Sequence, residues 1–118
     1  MEFDVTAAQA QKAVSDGTAL ILDVRHKEEV DFTAIPEKFT WIEFQELSQR
    51  FGELPRGKPI FCLCRTGGRS GGAAEFLREK GFDARNISGG IFAWSKIEPK
   101  VKKYVYFFEG EKTIVAGI

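Results

Sequence analysis

The chain is poor in cysteine and carries no excess of charge of either sign, and each shortage removes a class of function. Two cysteines in 118 residues, Cys62 and Cys64, cannot make the disulfide framework of a small secreted protein. They are also poorly placed to bond each other, because two residues along a strand span about 6.6 Å, the edge of disulfide reach. Both therefore read as thiols, which fits a reducing compartment, the cytoplasm. Seventeen basic residues balance seventeen acidic ones. The electrostatic surplus of a general nucleic-acid binder is missing, so no nucleic-acid partner is expected. No stretch approaches the roughly 18 apolar residues of a membrane helix. Met1-Glu2-Phe3-Asp4 has neither the basic start nor the apolar core of an export signal. Internal repeats and low-complexity segments are absent as well.

What is present is a core. Hydrophobic residues make up 43% of the chain, and eleven residues are Phe, a composition that excludes disorder. The length suits one domain, and a chain of this size buries about 65% of its unfolded surface without staples.

Helix and strand signals alternate. Thr6 with Gln9 forms a capping box, with Val5 and Ala10 as its hydrophobic staple, and Ala10, Ala13 and Val14 follow at helical spacing up to Gly17. Ala19 to Leu22 is a continuous apolar run leading into Asp23-Val24-Arg25, the mark of a strand covered on both faces. A short polar helix is expected from Lys27 to Phe32, and a second strand from Phe39 to Ile42. Phe44, Leu47 and Phe51 predict one helix stripe ending at Gly52. Leu54 to Gly57 is a turn, and Pro59 to Leu63 is the best strand of the chain. A glycine-rich loop comes next. Ala73, Phe76 and Leu77 then give a helix face stopped by Gly81, and Ala84 to Ile87 a last short strand. The pattern predicts an α/β domain with a mostly parallel sheet and helices on both faces. Its site should lie beyond the carboxyl ends of the strands.

Residues 1–99 are assigned to this domain and 100–118 to a C-terminal β-rich tail. In the tail, Tyr104 to Phe108 and Thr113 to Ala116 favour a hairpin turning near Gly110. That hairpin either packs on its own domain or offers an open edge to a second copy or another partner.

The chemistry concentrates in Cys64-Arg65-Thr66-Gly67-Gly68-Arg69-Ser70. A cysteine stands where a buried strand ends. Two glycines then let the backbone curl, and a helix is expected to begin at Arg69 or Ser70. Successive backbone N–H groups would form an anion nest. The helix dipole and the charges of Arg65 and Arg69 add to it. Such surroundings bring a thiol pKa from about 8.5 to roughly 3.5–7.5. Cys64 is therefore read as a thiolate near neutral pH with no base beside it, reachable from solvent. Cys62 reads as a small buried hydrophobe. Apolar packing explains neither Thr-Gly-Gly nor the two arginines beside Cys64.

Leu20 to Trp94 resembles a single rhodanese domain, a sulfurtransferase family. The resemblance rests on Ile21-Leu22-Asp23-Val24-Arg25, Cys64 to Ser70, Gly81-Phe82, Asn86-Ile87-Ser88-Gly89-Gly90 and Ala93-Trp94, in the family's order. It implies a three-layer α/β/α sandwich around a parallel sheet. It also implies transfer of sulfane sulfur by double displacement, with Cys64 as nucleophile and persulfide carrier and no metal or organic cofactor. Backbone N–H groups of Arg65, Thr66, Gly67, Gly68, Arg69 and Ser70 would hold the anionic sulfur. Arg69, the loop-closing arginine, would pair with an anionic donor such as thiosulfate. Arg65 would favour the same donor. The acceptor would be cyanide, a thiol or the thiolate of a sulfur-accepting protein.

Asp23 and Arg25 read as scaffold charges near a strand end, Trp94 as core, and His26 as a helix cap or a solvent-facing residue. The family's Gly-His-Ile-Pro-Gly-Ala segment is reduced here to Ile35-Pro36, which bears on acceptor preference. Two other functions compete. A Cys-dependent phosphatase or arsenate reductase uses a related loop, but with five residues between cysteine and arginine where this chain has four. A sulfur carrier or interaction module serving a partner protein is the other.

Overall fold

The computed structural model describes residues 3–102, together with the backbone alone of 104–109 and 112–117. The elements run β1 (Asp4–Val5), α1 (Ala7–Ser15), β2 (Leu20–Asp23), α2 (Lys27–Phe32), β3 (Thr40–Trp41), α3 (Leu47–Arg50), β4 (Ile60–Leu63), α4 (Gly68–Glu79), β5 (Ala84–Ile87), α5 (Gly90–Trp94), β6 (Tyr104–Glu109) and β7 (Lys112–Gly117). Five strands form one sheet in the order β1-β5-β4-β2-β3, and every pairing in it is parallel. β6 and β7 pair antiparallel by themselves. The turn at Gly110 lies outside the described residues, as do the tail's side chains, on which the partner-binding edge depends.

The two faces of the sheet explain why its central strands read as unbroken apolar runs. Side chains alternate along a strand, and here each face meets its own helices. Leu22, Ile60, Cys62 and Cys64 share one cluster with Leu47 of α3 and Ala73, Ala74 and Leu77 of α4. Ile21, Phe61 and Leu63 share the opposite cluster with Ala7 and Ala10 of α1 and Ile91 and Trp94 of α5. The period of two thus puts both cysteines on the α4 side. Trp94 is wholly buried, as the sequence suggests.

Local signals were accurate where they were local. Thr6 and Gln9 form both bonds of the capping box, at 3.1 and 2.8 Å, and Val5 packs in the same cluster as Ala10. α2 spans the expected residues. Two expectations need correction, and one strand was not foreseen. The stripe from Phe44 to Phe51 is not one helix: a 3₁₀ turn at Phe44–Glu46 precedes α3 and another at Phe51–Glu53 follows it. Its apolar positions do not face a common core, since Leu47 is buried while Phe44 lies exposed against Gly72. β1 gave no sequence signal because it is only two residues long, paired to β5 at the sheet edge. α4 begins at Gly68, earlier than Arg69, because Gly67 alone makes the turn at φ 114° and serves as the N-cap.

Candidate active site

β4 ends at Leu63, and Cys64 follows at the carboxyl edge of the sheet, directly before the loop into α4. The Cys64 Sγ accepts the Gly67 N–H at 3.0 Å and faces the Ser70 Oγ at 3.1 Å. Burial alone pushes this thiol up. The Ser70 hydroxyl and the backbone N–H groups of Ser70, Gly67 and Thr66 outweigh burial and hold it below its ordinary range. Cys62, two residues back and without such donors, is pushed up by burial to about 12. The two thiols share a face but differ in their surroundings, which move their titration in opposite directions.

The loop takes this shape because α5 holds its carbonyls. Ile91 N–H donates to Cys64 O at 2.8 Å and Phe92 N–H to Arg65 O at 3.1 Å. A trans peptide sets its N–H opposite its C=O, so fixing Arg65 O on α5 turns the Thr66 N–H toward the sulfur. Gly90 makes the close approach possible. It sits at φ +56°, and a Cβ there would lie 2.4 Å from Cys64 O and 2.5 Å from Arg65 O. Gly90→Ala is expected to cost about 2–4 kcal/mol through left-handed strain and overpacking. Chemical denaturation would measure that loss. A change below about 0.5 kcal/mol would show that the loop yields freely at this point.

A family model for the rhodanese-like domain matches residues 6–97. The chain belongs to that family. This rhodanese-like domain is 33% identical over 96 residues to the Bacillus subtilis protein named "Putative sulfurtransferase YtwF", covering 80% of this chain and 92% of that one. It is 30% identical over 97 residues to the adenylyltransferase and sulfurtransferase UBA4 of Yarrowia lipolytica, where the match covers 80% of this chain but only 24% of that longer protein. The crystal structure of a rhodanese-related protein from Thermoplasma volcanium superposes with a TM-score of 0.73 at 30% identity, over 80% of this chain and 91% of that one.

Around the loop, the rhodanese-like domain has an ionic frame that sequence spacing only half revealed. Asp23 and Arg25 are fully buried and bonded to each other through Nε and Nη2, at 2.8–3.0 Å. Arg25 also donates to the carbonyls of Thr33 at 2.9 Å and Glu29 at 3.3 Å, clamping the end of α2 to the sheet. The scaffold expectation for this pair holds. His26 stands at the N-cap position of α2 with its Nδ1 3.1 Å from Glu43.

Arg69, expected to pair with an anionic donor, is already paired with a carboxylate of the chain. Its two terminal nitrogens lie 2.7 and 2.8 Å from the Glu29 carboxylate in a bidentate pair. Burial pushes Glu29 up, but Arg69, the His26 N–H and the Arg25 charge together leave it below the usual carboxylate range. Forty positions separate the two residues, so no local pattern could pair them. Asn86 was also missed as a site residue. Its Oδ1 lies 2.6 Å from the Ser70 Oγ. The Asn86-Ile87-Ser88-Gly89-Gly90 stretch marked the segment but not this contact. Cys64 itself is only 1% exposed, contrary to the expectation that it is reachable from solvent, because it packs in the core cluster beneath α4. Among the described residues no helix is long and apolar enough to cross a membrane.

Proposed function

We propose that this chain is a sulfurtransferase in which Cys64 carries sulfane sulfur as a persulfide. The observation that supports the reading is the pairing of one sulfur with the Gly67 N–H and the Ser70 hydroxyl in a setting that favours its charged form. With thiosulfate, the Cys64 thiolate attacks the outer sulfur. The new S–S bond forms as the old one breaks, sulfite leaves with the electron pair, and the anionic persulfide takes the thiolate's place on the N–H groups. A cyanide or thiolate acceptor then attacks the terminal sulfur and restores the thiolate. Neither step needs a proton, which suits a sulfur whose bonds among the described residues come from the Gly67 N–H and the Ser70 hydroxyl. The leaving ability of a low-pKa thiolate favours the second step.

The enclosure of Cys64 gives Arg69 and Glu29 a part in entry. An anionic donor competes with Glu29 for the Arg69 guanidinium, and exchange of that pair loosens the far end of the loop. A cup that closes over its sulfur also supports a second reading, in which the persulfide is handed to a docking protein faster than to cyanide.

Incubation with thiosulfate followed by intact-mass analysis and peptide mapping tests the proposal. One added sulfur atom is expected on Cys64 and should be removable by cyanide. The loading rate should follow the thiolate fraction. It should hold to lower pH than the rate of an ordinary thiol, of pKa about 8.5, and fall as pH drops through the lowered value. Failure to load, or turnover of an aryl phosphate instead, would overturn the reading.

A further inference from the structure

The hydroxyl of Ser70 is wholly buried between two groups, Cys64 Sγ at 3.1 Å and the Asn86 carboxamide at 2.6 Å. A serine hydroxyl has one proton to give, and a thiolate can only accept. If the carboxamide oxygen faces Ser70, two acceptors compete for that proton, and the sulfur shares its one hydroxyl donor. The oxygen and nitrogen of an amide have nearly the same shape, and which end faces a neighbour is settled by the hydrogen-bond network around it.

That network favours the turned amide. With the oxygen toward Ser70, the Asn86 Nδ2 donates to no group among the described residues. It points instead into the space left by Gly67 and Gly71, where added Cβ atoms would each sit 3.6 Å from it. The same space opens into a cavity of about 310 Å³ lined by Gly67, Gly71 and Asn86 with Asp4, Glu75 and Arg78. Turning the amide exchanges the Ser70 O–H···Oδ1 bond for an Nδ2–H···Oγ one and gives the amide oxygen an open, polar outlook. The 2.6 Å separation is short for an N–H···O bond, so the two side chains part by about a tenth of an ångström or more. That adjustment is small beside the loss to the sulfur of its one hydroxyl donor.

Register explains how Asn86 gets there. Its Cα pairs with that of Cys62 across β4 and β5. Paired residues of neighbouring strands share a face, which places Asn86 on the same side as both cysteines, beneath the start of α4.

We propose that Asn86 is a positioning residue: its carboxamide nitrogen donates to Ser70 Oγ and so commits the single Ser70 proton to the Cys64 sulfur. The proposal rests on the reading of Cys64 as the sulfur carrier and assigns the group that orients its hydroxyl donor. The charged side chains nearby, Arg65, Arg69 and Glu29 on the loop side and Arg78, Glu75 and Asp4 around the cavity, are unchanged by a neutral substitution at Asn86.

The sign of one measurement tests it. The thiolate of Cys64 is titrated by ultraviolet absorbance in the unsubstituted protein, Asn86→Ala, Ser70→Ala and the double variant. At a fixed pH below the wild-type midpoint, Asn86→Ala should lower the thiolate fraction roughly three- to tenfold, the size of one net hydrogen bond. In the Ser70→Ala background the same substitution should change it less than about twofold. A midpoint that stays or falls in Asn86→Ala, or an equal shift without Ser70, would overturn the proposal. An acceptor amide predicts that fall, because its loss frees the proton for sulfur. Should Asn86→Ala not fold, nuclear Overhauser contacts in the wild-type protein decide. Asn86 Hδ2 contacts to the Ser70 Hβ protons are expected, and Hδ2 contacts confined to Gly67 and Gly71 count against it. A wild-type thiol that titrates as an ordinary one, or that takes up no sulfur from thiosulfate, is a separate result and sinks the carrier reading instead.

Discussion

Cys64→Ser is expected to gain no sulfur from thiosulfate and to lose turnover to the uncatalysed background. A hydroxyl in the same cup cannot ionise near neutrality, and oxygen cannot form the persulfide link on which the proposed exchange depends. Cys62→Ala is the control. Cys62 lies wholly buried two residues earlier on the same face, with its thiol pushed up to about 12. Its replacement removes one sulfur atom from packing and leaves the loop donors in place. Loading should therefore persist in Cys62→Ala and vanish in Cys64→Ser, measured by intact mass and by thiocyanate formation from cyanide. The reverse pattern would mean that the roles of the two thiols have been exchanged.

Asp23→Ala should unfold the protein more readily than any other single change near the site. It strips the carboxylate from Arg25, whose guanidinium has no exposed surface and would be left with only the carbonyls of Thr33 and Glu29. Breaking a buried pair from one side typically costs about 3–5 kcal/mol. For a domain of this size that corresponds to a fall in Tm on the order of 10–20 °C. The effect should also reach the sulfur. Arg25 clamps the end of α2, and α2 carries the Glu29 that holds Arg69. The double variant Asp23→Leu/Arg25→Met should recover part of the stability, because it removes the stranded charge. It cannot recover all of it, because the Thr33 carbonyl loses its donor. Thermal and urea unfolding of the three variants checks both statements. A loss below about 1 kcal/mol for Asp23→Ala would mean that water reaches Arg25.

These cases show what a sequence can disclose. The layered fold was legible because its signals are short-range: the apolar runs of Leu20 to Leu22 and Ile60 to Leu63, the capping box at Thr6, the glycines that close helices. The loop was legible because one stretch, Cys64 to Ser70, contains cysteine, turn and helix start together. The remaining parts join residues far apart in the chain. Glu29 meets Arg69 only after β2 and β4 pair and bring α2 beside the loop. Asn86 meets Ser70 only through the register of β5 on β4. β1 has two residues, too few for any periodicity to register. Phe44, Leu47 and Phe51 carry helical spacing without a common surface to bury, so spacing alone overstated that helix.

The hold of α5 on the carbonyls of Cys64 and Arg65 bears on how such a site can vary. The N–H groups turned toward the sulfur from Thr66, Gly67 and Ser70 belong to the main chain, which every amino acid but proline supplies, and the Ser70 hydroxyl joins them as a side-chain donor. Replacing the Thr66 side chain edits what an incoming molecule meets while the amide beneath it keeps its direction. Substrate preference can thus drift through the outward side chains while the main-chain share of the hold on a negative sulfur stays with the polypeptide itself.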